Sequence, residues 1–535
     1  MHIPEPEHFT TPNPIVAIHP SPRPVPRSLR QASHWRAVRM VQLVHLIAGG
    51  LLAVLSVSWQ RDQSLNGWWK TTRTLKDGTV APLLFEFKES NGRISGTARF
   101  DWGDLAIQNG LIQGERLSFS AGSSFYFAGA RSSHGIALQL HSKQGPDQTL
   151  LLSATDVSAL HLPPDRAPLP PLHPIHASPS LASRPPMGWN SWNYFHKNIS
   201  DSIIRGVADS IASNGMKQAG YAYIVIDDGW QGRRDAQGSL HSNQQFPDMR
   251  ALSDYVHAKG LKLGIYSSPG PQSCGKLEGS YRHEEQDAAT FASWGIDFLK
   301  YDWCSSSRVY RPSESQAVFQ KMGSALRATG RPILLSLSQY GLEDVWLWGA
   351  DVGASTWRTT ADIQPTFRSM HQNALDQQIA APSAGPGRWN DPDMLEVGNG
   401  SMTESDSQSN FNLWAMLAAP LIAGNDVRNM TASTRDILLN KNVIAIDQDP
   451  LGKQATLTHH LGSIEIWQRP LVNGDQAVMI LNTSSERQSF QMEWKRLGLE
   501  KAKTVVDVWS EKKVLPSNWN RIALEPHQSR IYRVS

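Results

Sequence analysis

The sequence predicts an α/β protein built on a (β/α)8 TIM barrel, with an N-terminal β-sandwich accessory domain and a C-terminal antiparallel β-sandwich domain. Three observations predict it. Across residues 185–455, short apolar runs alternate with amphipathic helical stretches at spacings of roughly 35 to 40 residues, the pattern of parallel βαβ units. That span, about 270 residues, matches one eight-unit barrel. Residues 63–156 and 456–535 instead carry short alternating runs between Gly, Asn and Asp turns, which read as antiparallel strands.

The elements follow in order. Arg36 and Arg39 precede an apolar run from Met40 to Val57, and Ser56-Val57-Ser58 offers a small-x-small cleavage pattern. Residues 1–58 therefore read as an N-terminal extension with a secretory signal peptide, with Met40 an alternative start. Export to a periplasmic or extracellular location is expected, with a retained N-terminal membrane anchor as the alternative. No later stretch is apolar for long enough to span a bilayer, so no stable membrane span is expected after signal removal.

Within residues 63–156, Leu83-Leu84-Phe85-Glu86-Phe87 and Leu117-Ser118-Phe119 read as strands, and Asn91-Gly92 as a hairpin turn. Residues 157–184 hold Pro163-Pro164 and Pro170-Pro171, the composition of a stiff linker. In the barrel, Ile224-Val225-Ile226, Leu263-Gly264-Ile265-Tyr266, Phe298-Leu299-Lys300-Tyr301-Asp302 and the run from Ile333 to Ser338 are strands. Ser200 or Asp201 caps a helix that presents Ile203, Ile204, Val207, Ala208 and Ile211 on one face. Met249, Leu252 and Val256 form a second such stripe. Beyond residue 456, Ile464-Glu465-Ile466-Trp467 and the run from Ala477 to Leu481 flank Asn473-Gly474, and two more strands follow around Val505–Trp509 and Arg530–Val534.

The chain has 535 residues, 40% hydrophobic and 19% charged, with a net charge of +3. Much of the basic excess sits in the first forty residues, and no basic stripe interleaved with aromatics follows, so nucleic acid is excluded as a partner. The Gly-rich phosphate turn of a dinucleotide-binding sheet is missing, and no cofactor is expected. Two cysteines, Cys274 and Cys304, are too few for a disulfide scaffold or a zinc cluster. They are either two buried thiols or one bridge, as the compartment decides.

Polar residues gather where the barrel strands end, the face on which such barrels carry their sites. Asp227 and Asp228 close the second strand, Lys300 and Asp302 the fourth, Arg358 and Asp362 follow the sixth, and Asp391 and Asp393 the seventh. Many carboxylates, few cations and 19 Trp residues suit a neutral polyol. A lone Asp at a strand end is more often a helix cap. A carboxylate cluster could also hold a metal, but no His shows ligand spacing beside it, and no metal is expected.

The ordered motifs are more specific. Met187-Gly188-Trp189-Asn190-Ser191-Trp192, Ile226-Asp227-Asp228-Gly229-Trp230, Leu299-Lys300-Tyr301-Asp302-Trp303-Cys304 and Trp389-Asn390-Asp391-Pro392-Asp393-Met394-Leu395 together resemble glycoside hydrolase family 27, the α-galactosidase and α-N-acetylgalactosaminidase family. The resemblance covers about residues 184–460 and, more loosely, the C-terminal β domain. It implies a retaining glycosidase with Asp302 as nucleophile and Asp362 as general acid/base. It implies that Asp227 and Asp228 hold the 4- and 6-hydroxyls, that Lys300 lies near O3 and O4, and that Arg358 lies near O2. Trp192, Tyr266, Asp393 and Met394 would line the pocket, and Cys274 would pair with Cys304. Lys300 is expected to keep Asp302 ionised.

One stretch departs from the family. Where plant-type relatives carry Cys-Glu-Trp-Gly, this chain has Ser338-Gln339-Tyr340-Gly341. That segment meets the C2 substituent in the family, so Ser338 and Tyr340 enter the site and the sugar stays open. Galactose is favoured by the Asp227–Asp228 pair, with N-acetylgalactosamine and β-L-arabinopyranose as alternatives. The expected partner is an α-galactoside-containing oligosaccharide or glycan. The rival readings are a non-catalytic sugar-binding barrel, and a protein whose N-terminal β domain attaches it to a surface glycan.

Overall fold

A computed structural model describes residues 65–535, apart from short stretches at 76–77, 79, 101–102, 123–124, 133–134, 143–146, 157–161, 492–496, 500–503 and 515–521. The signal-peptide reading of residues 1–58 lies outside the described residues. Among the described residues, no helix is long and apolar enough to cross a membrane.

The first β region has eight strands: β1 (Gly67–Thr74), β2 (Val80–Ser90), β3 (Arg93–Phe100), β4 (Asp104–Gln113), β5 (Arg116–Ala121), β6 (Phe125–Ser132), β7 (Gly135–Ser142) and β8 (Gln148–Thr155). Each pairs antiparallel with the next, and β8 pairs back onto β1. The result is one closed barrel where two packed sheets were expected. Closure needs strong coiling, and the strands supply it. The register slips between Ile94 and Thr97 and between Gln108 and Leu111, as at bulges. At Gly96 and Gly129 a Cβ would stand 1.9 Å from a carbonyl oxygen of a neighbouring strand, so only glycine lets the sheet bend so tightly there. Alternate residues point inward, and Phe85, Phe87, Phe119 and Phe127 fill the interior with ring centroids 4.8–5.6 Å apart.

The proline-rich segment that follows is laid along the central barrel. Arg166 makes a two-point ion pair with Glu314, at 2.5 and 2.7 Å. The His173 amide donates to Gln320, and Ile175 bridges to Val352.

The central region is a ring of parallel strands. These are β9 (Met187–Asn190), β10 (Tyr223–Val225), β13 (Lys262–Ser267), β14 (Phe298–Asp302), β15 (Leu334–Ser338), β16 (Ala354–Arg358), β17 (Trp389–Asp391) and β18 (Leu421–Ala423). A small hairpin, β11 (Gln231–Arg234) and β12 (Leu240–Ser242), is inserted after β10. Leu395, just past β17, bridges in parallel to Ala423 of β18 and joins the two ends of the sheet. The helix Asp201–Ser213 is capped by the Ser200 side chain and buries Ile204, Val207, Ala208 and Ile211, while Ile203 stays half-buried. The helix Met249–Ala258 is capped by Asp248 and buries Met249, Leu252 and Val256. Both stripes pack into the core around the strands.

The C-terminal region pairs β19 (Thr456–Leu461), β20 (Ile464–Pro470), β21 (Gln476–Asn482), β25 (Ser529–Val534) and β23 (Val505–Asp507) in one sheet, with β22 (Gln488–Phe490) and β24 (Ile522–Leu524) in a second. Alternation divides its strands between two cores. Ile464, Ile466, Val478 and Ile480 pack between these sheets, whereas Trp467, Met479, Leu481 and Ile531 pack against the parallel barrel.

Candidate active site

The C-terminal ends of the parallel strands surround a cavity of about 350 Å³. Lys300 and Asp302 sit two apart on β14, so both side chains point inward while Leu299 and Tyr301 pack outward under the helices. Trp192 follows β9, Asp227 and Asp228 follow β10, Tyr266 is on β13, and Tyr340 follows β15. Arg358 ends β16, and Asp362, Asp393 and Met394 complete the lining. The structure thus brings most of the sequence-selected residues to one cavity; Ser338 and Asp391 do not line it, and Cys304 lines the adjoining cleft. Ser338 is buried at the end of β15 and does not reach the cavity surface.

Asp302 is 4% exposed. Its Oδ1 accepts hydrogen bonds from the Trp303 amide and from the Tyr340 hydroxyl, both at 2.7 Å. Burial pushes its carboxyl up to about 6, against the pull of Lys300 and of the Tyr340 hydroxyl; Asp362 pushes the same way as burial. The expected effect of Lys300 is therefore present but outweighed. The Lys300 ammonium is paired with Asp227 Oδ2 at 2.8 Å instead, and Asp227 leads Asp302 among the carboxylates that keep this buried cation charged.

Asp227 Oδ2 also accepts from Asn190, at 2.8 Å, and its Oδ1 accepts the Asp228 amide. Asp228 Oδ2 accepts the Gly275 amide at 2.5 Å. A Cβ on Gly275 would stand 2.7 Å from that oxygen, so only glycine lets this loop come so close. Asp228 Oδ1 is buried without a hydrogen-bond partner. Such an acceptor is costly unless a donor from outside reaches it. Burial raises the Asp228 pKa.

Arg358 organises the opposite wall. Its guanidinium contacts Asp362 Oδ1 and Asp393 Oδ1, each at 3.1 Å. Asp393 is held at φ 87, a conformation few non-glycine residues adopt. From there its Oδ2 accepts the Ile363 amide at 2.8 Å and fixes the loop that carries Asp362. The Asp362 side chain itself is 61% exposed at the mouth.

A disulfide joins Cys274 to Cys304, which settles the choice left open between free thiols and a bridge. It ties the loop after β13 to the end of β14. The Tyr340 hydroxyl lies 3.8 and 3.9 Å from its two sulfurs, and Arg358 lies 5.7 Å from the Tyr340 ring centre. Tyr340 is thus wedged between the disulfide, Asp302 and Arg358, with φ 63.

Sequence reasoning missed Glu396. It is 1% exposed, lines the cavity and accepts from Asn193 and Asn399 at 2.6 Å each. Burial pushes it up to about 7. Its place two residues beyond Met394, on the same loop, was the available signal. The arrangement can bind a neutral polyol through buried carboxylates and an ammonium, and can set one buried and one exposed carboxyl on a bond between them.

Comparison with known proteins agrees with this geometry. Residues 184–449 match the family described as "Alpha galactosidase A", and residues 461–534 match the "Alpha galactosidase C-terminal beta sandwich domain". The chain is 47% identical over 327 residues to an alpha-galactosidase A from Cellvibrio japonicus, covering 59% of this chain and 80% of that one. It is 42% identical over 363 residues to an alpha-galactosidase from Cyamopsis tetragonoloba, covering 66% and 87%. Among solved structures, alpha-galactosidase I from Mortierella vinacea aligns with a TM-score of 0.63 at 34% identity over 67% of this chain and 98% of that one. A putative alpha-galactosidase/melibiase from Bacteroides fragilis aligns with a TM-score of 0.64 at 31% identity over 88% and 92%.

Proposed function

The chain belongs to glycoside hydrolase family 27, and from that premise we propose that it is an α-galactosidase that releases terminal α-galactose with retention, through a glycosyl ester on Asp302. The observation that carries the assignment of roles is the contrast of two carboxyl groups in one cavity, with Asp302 buried at its base and Asp362 exposed at its mouth.

In the first step the Asp302 carboxylate attacks C1 while Asp362 gives its proton to the leaving oxygen. The glycosidic bond breaks, an ester forms, and the aglycone departs as an alcohol. In the second step Asp362, now a carboxylate, takes a proton from water. The water oxygen attacks C1 and Asp302 leaves as a carboxylate. Two inversions retain the anomeric configuration. Arg358 keeps Asp362 aimed at the scissile bond, and the Tyr340 and Trp303 donors stabilise the Asp302 anion when it leaves.

Asp228 Oδ1, unpartnered and buried, and the Lys300–Asp227 pair are assigned to the sugar hydroxyls. Tyr340 supports galactose over N-acetylgalactosamine, because its ring takes up space beside the nucleophile that a smaller residue would leave for an acetamido group. The Cys274–Cys304 disulfide supports an exported location, since such bonds persist in oxidising compartments.

The test is a panel of aryl α-galactoside, α-N-acetylgalactosaminide and β-L-arabinopyranoside. We expect kcat/KM for the galactoside to lead by about tenfold or more, and Asp302→Ala to lower kcat by about 10⁴-fold. A wild type that cleaves none of the three, with Asp302→Ala and Asp362→Ala still binding galactose as tightly, would overturn the enzymatic reading.

A further inference from the structure

The galactose cavity does not end at the rim of the parallel barrel. At Tyr340, Asp362 and Gln364 it runs into a cleft of about 440 Å³, whose far wall is Asp104, Gly122 and Phe125 of the N-terminal barrel. At Phe125 and Gln364 that cleft continues into another of about 760 Å³, between Gln108, Ser120 and Tyr126 on one side and Thr366 and Gln372 on the other. Each is larger than the cavity that takes the galactose, of about 350 Å³. From this continuity we infer that the N-terminal barrel builds the aglycone side of the site, and that the substrate is an α-galactosyl group carried on an oligosaccharide whose further sugars lie along that barrel.

The chemistry of the cleft fits such a chain. Tyr126 is 46% exposed, although it is a large aromatic residue. Its ring is stacked on His141 with centroids 6.1 Å apart and planes 27° apart, and His141 is held by Asp147 at 2.7 Å. A braced, exposed aromatic face suits the apolar face of a pyranose ring. Around it the cleft offers amides and hydroxyls. The carboxylates that border it already have partners: Asp104 is paired with Arg99, Asp362 with Arg358, and Asp147 is hydrogen-bonded to His141. With Lys276, Arg308 and Arg368 also on the lining, the cleft presents donors and acceptors that suit the hydroxyls of a sugar chain.

The cleft is also built in advance. Asp104 accepts a two-point pair from buried Arg99 at 2.7 and 2.8 Å, and Arg99 reaches on to the Tyr310 carbonyl at 3.1 Å. The Trp303 indole donates to the same Asp104, and Trp303 directly follows the nucleophile. Farther along, Gln372 donates to Asn109 at 2.9 Å across the two walls. Walls fixed in this way spare a bound chain the cost of ordering them.

This inference rests on the galactosidase reading, and its test separates the two. The full chain is assayed on an aryl α-galactoside and on a neutral pentasaccharide bearing one terminal α-galactosyl group. Tyr126→Ala removes the aromatic shelf, and Ser120→Trp fills the cleft. Both variants are expected to lower kcat/KM for the pentasaccharide by about tenfold, and to leave the aryl substrate within about twofold. If both variants treat the two substrate sizes alike, the N-terminal barrel plays no part in binding and the inference falls. If the wild type cleaves neither substrate, the galactosidase reading falls and takes the inference with it.

Discussion

The Tyr340 hydroxyl donates to the same Asp302 oxygen that accepts the Trp303 amide. That bond favours the ionised form of Asp302 against a burial effect that pushes the carboxyl up to about 6. Tyr340→Phe removes the donor and keeps the ring. The Asp302 pKa then rises further, and the acid limb of the pH profile of kcat/KM moves to higher pH, by about half a unit to one unit, with about a tenfold loss of rate. A limb that stays in place or moves to lower pH would refute this role. The sequence showed Tyr340 only as a departure from a family pattern. Its contact with Asp302 was not legible, because Tyr340 lies in the turn after β15 and meets Asp302 only because β14 and β15 pair in register, Asp302 opposite Ser338. Lys300 teaches the same point: two residues from Asp302 along the strand, it gives its direct ion pair to Asp227, which is 73 positions away.

At the scale of elements, the two barrels meet through a buried ion pair. Arg99 and Asp104 have side chains 7% and 0% exposed, and the pair is shared with Trp303 and Tyr310 of the parallel barrel. Arg99→Ala leaves the Asp104 carboxylate buried without its cation, and is expected to cost about 3 to 5 kcal/mol in denaturant unfolding. Unfolding at the wild-type midpoint would show the pair to be dispensable. The strands and helices themselves were readable, since period-two and period-3.6 patterns follow from which faces are buried: β14 begins and ends where its apolar run does, and the two capped helices bury the stripes their sequences present. Closure of β1–β8 was not readable. Alternation gives each strand one inner face in a barrel and in a sandwich alike, and only the bulges and the glycine contacts at Gly96 and Gly129 decide how far the sheet curls.

Across the whole molecule, several carboxyl groups that are buried or half-buried have raised pKa values: Asp302, Asp376 and Asp391 at about 6, and Glu396 at about 7, each chiefly through desolvation. A carboxyl with a folded pKa above its unfolded value binds more protons when folded. Its contribution to stability is complete below the unfolded pKa and is lost as pH rises through the folded one. The melting temperature is therefore expected to fall by several degrees between about pH 5 and about pH 7.5, while kcat/KM rises over the lower part of that range as Asp302 ionises. Calorimetry across the range checks it, and a melting temperature that is flat or rising would contradict it. The sequence by itself determined the order of the regions, the parallel barrel and the family, and it picked out the carboxylates that the structure gathers in the cavity, because burial patterns and ordered motifs are local properties of the chain. Only the tertiary structure decided that Lys300 pairs with Asp227, that Ser338 does not reach the cavity surface and Tyr340 lies at Asp302, and that an accessory barrel walls the cleft beyond it. Those facts depend on which residues distant in sequence come within a hydrogen bond of one another, and that is set by strand register, sheet closure and docking, which no local pattern encodes.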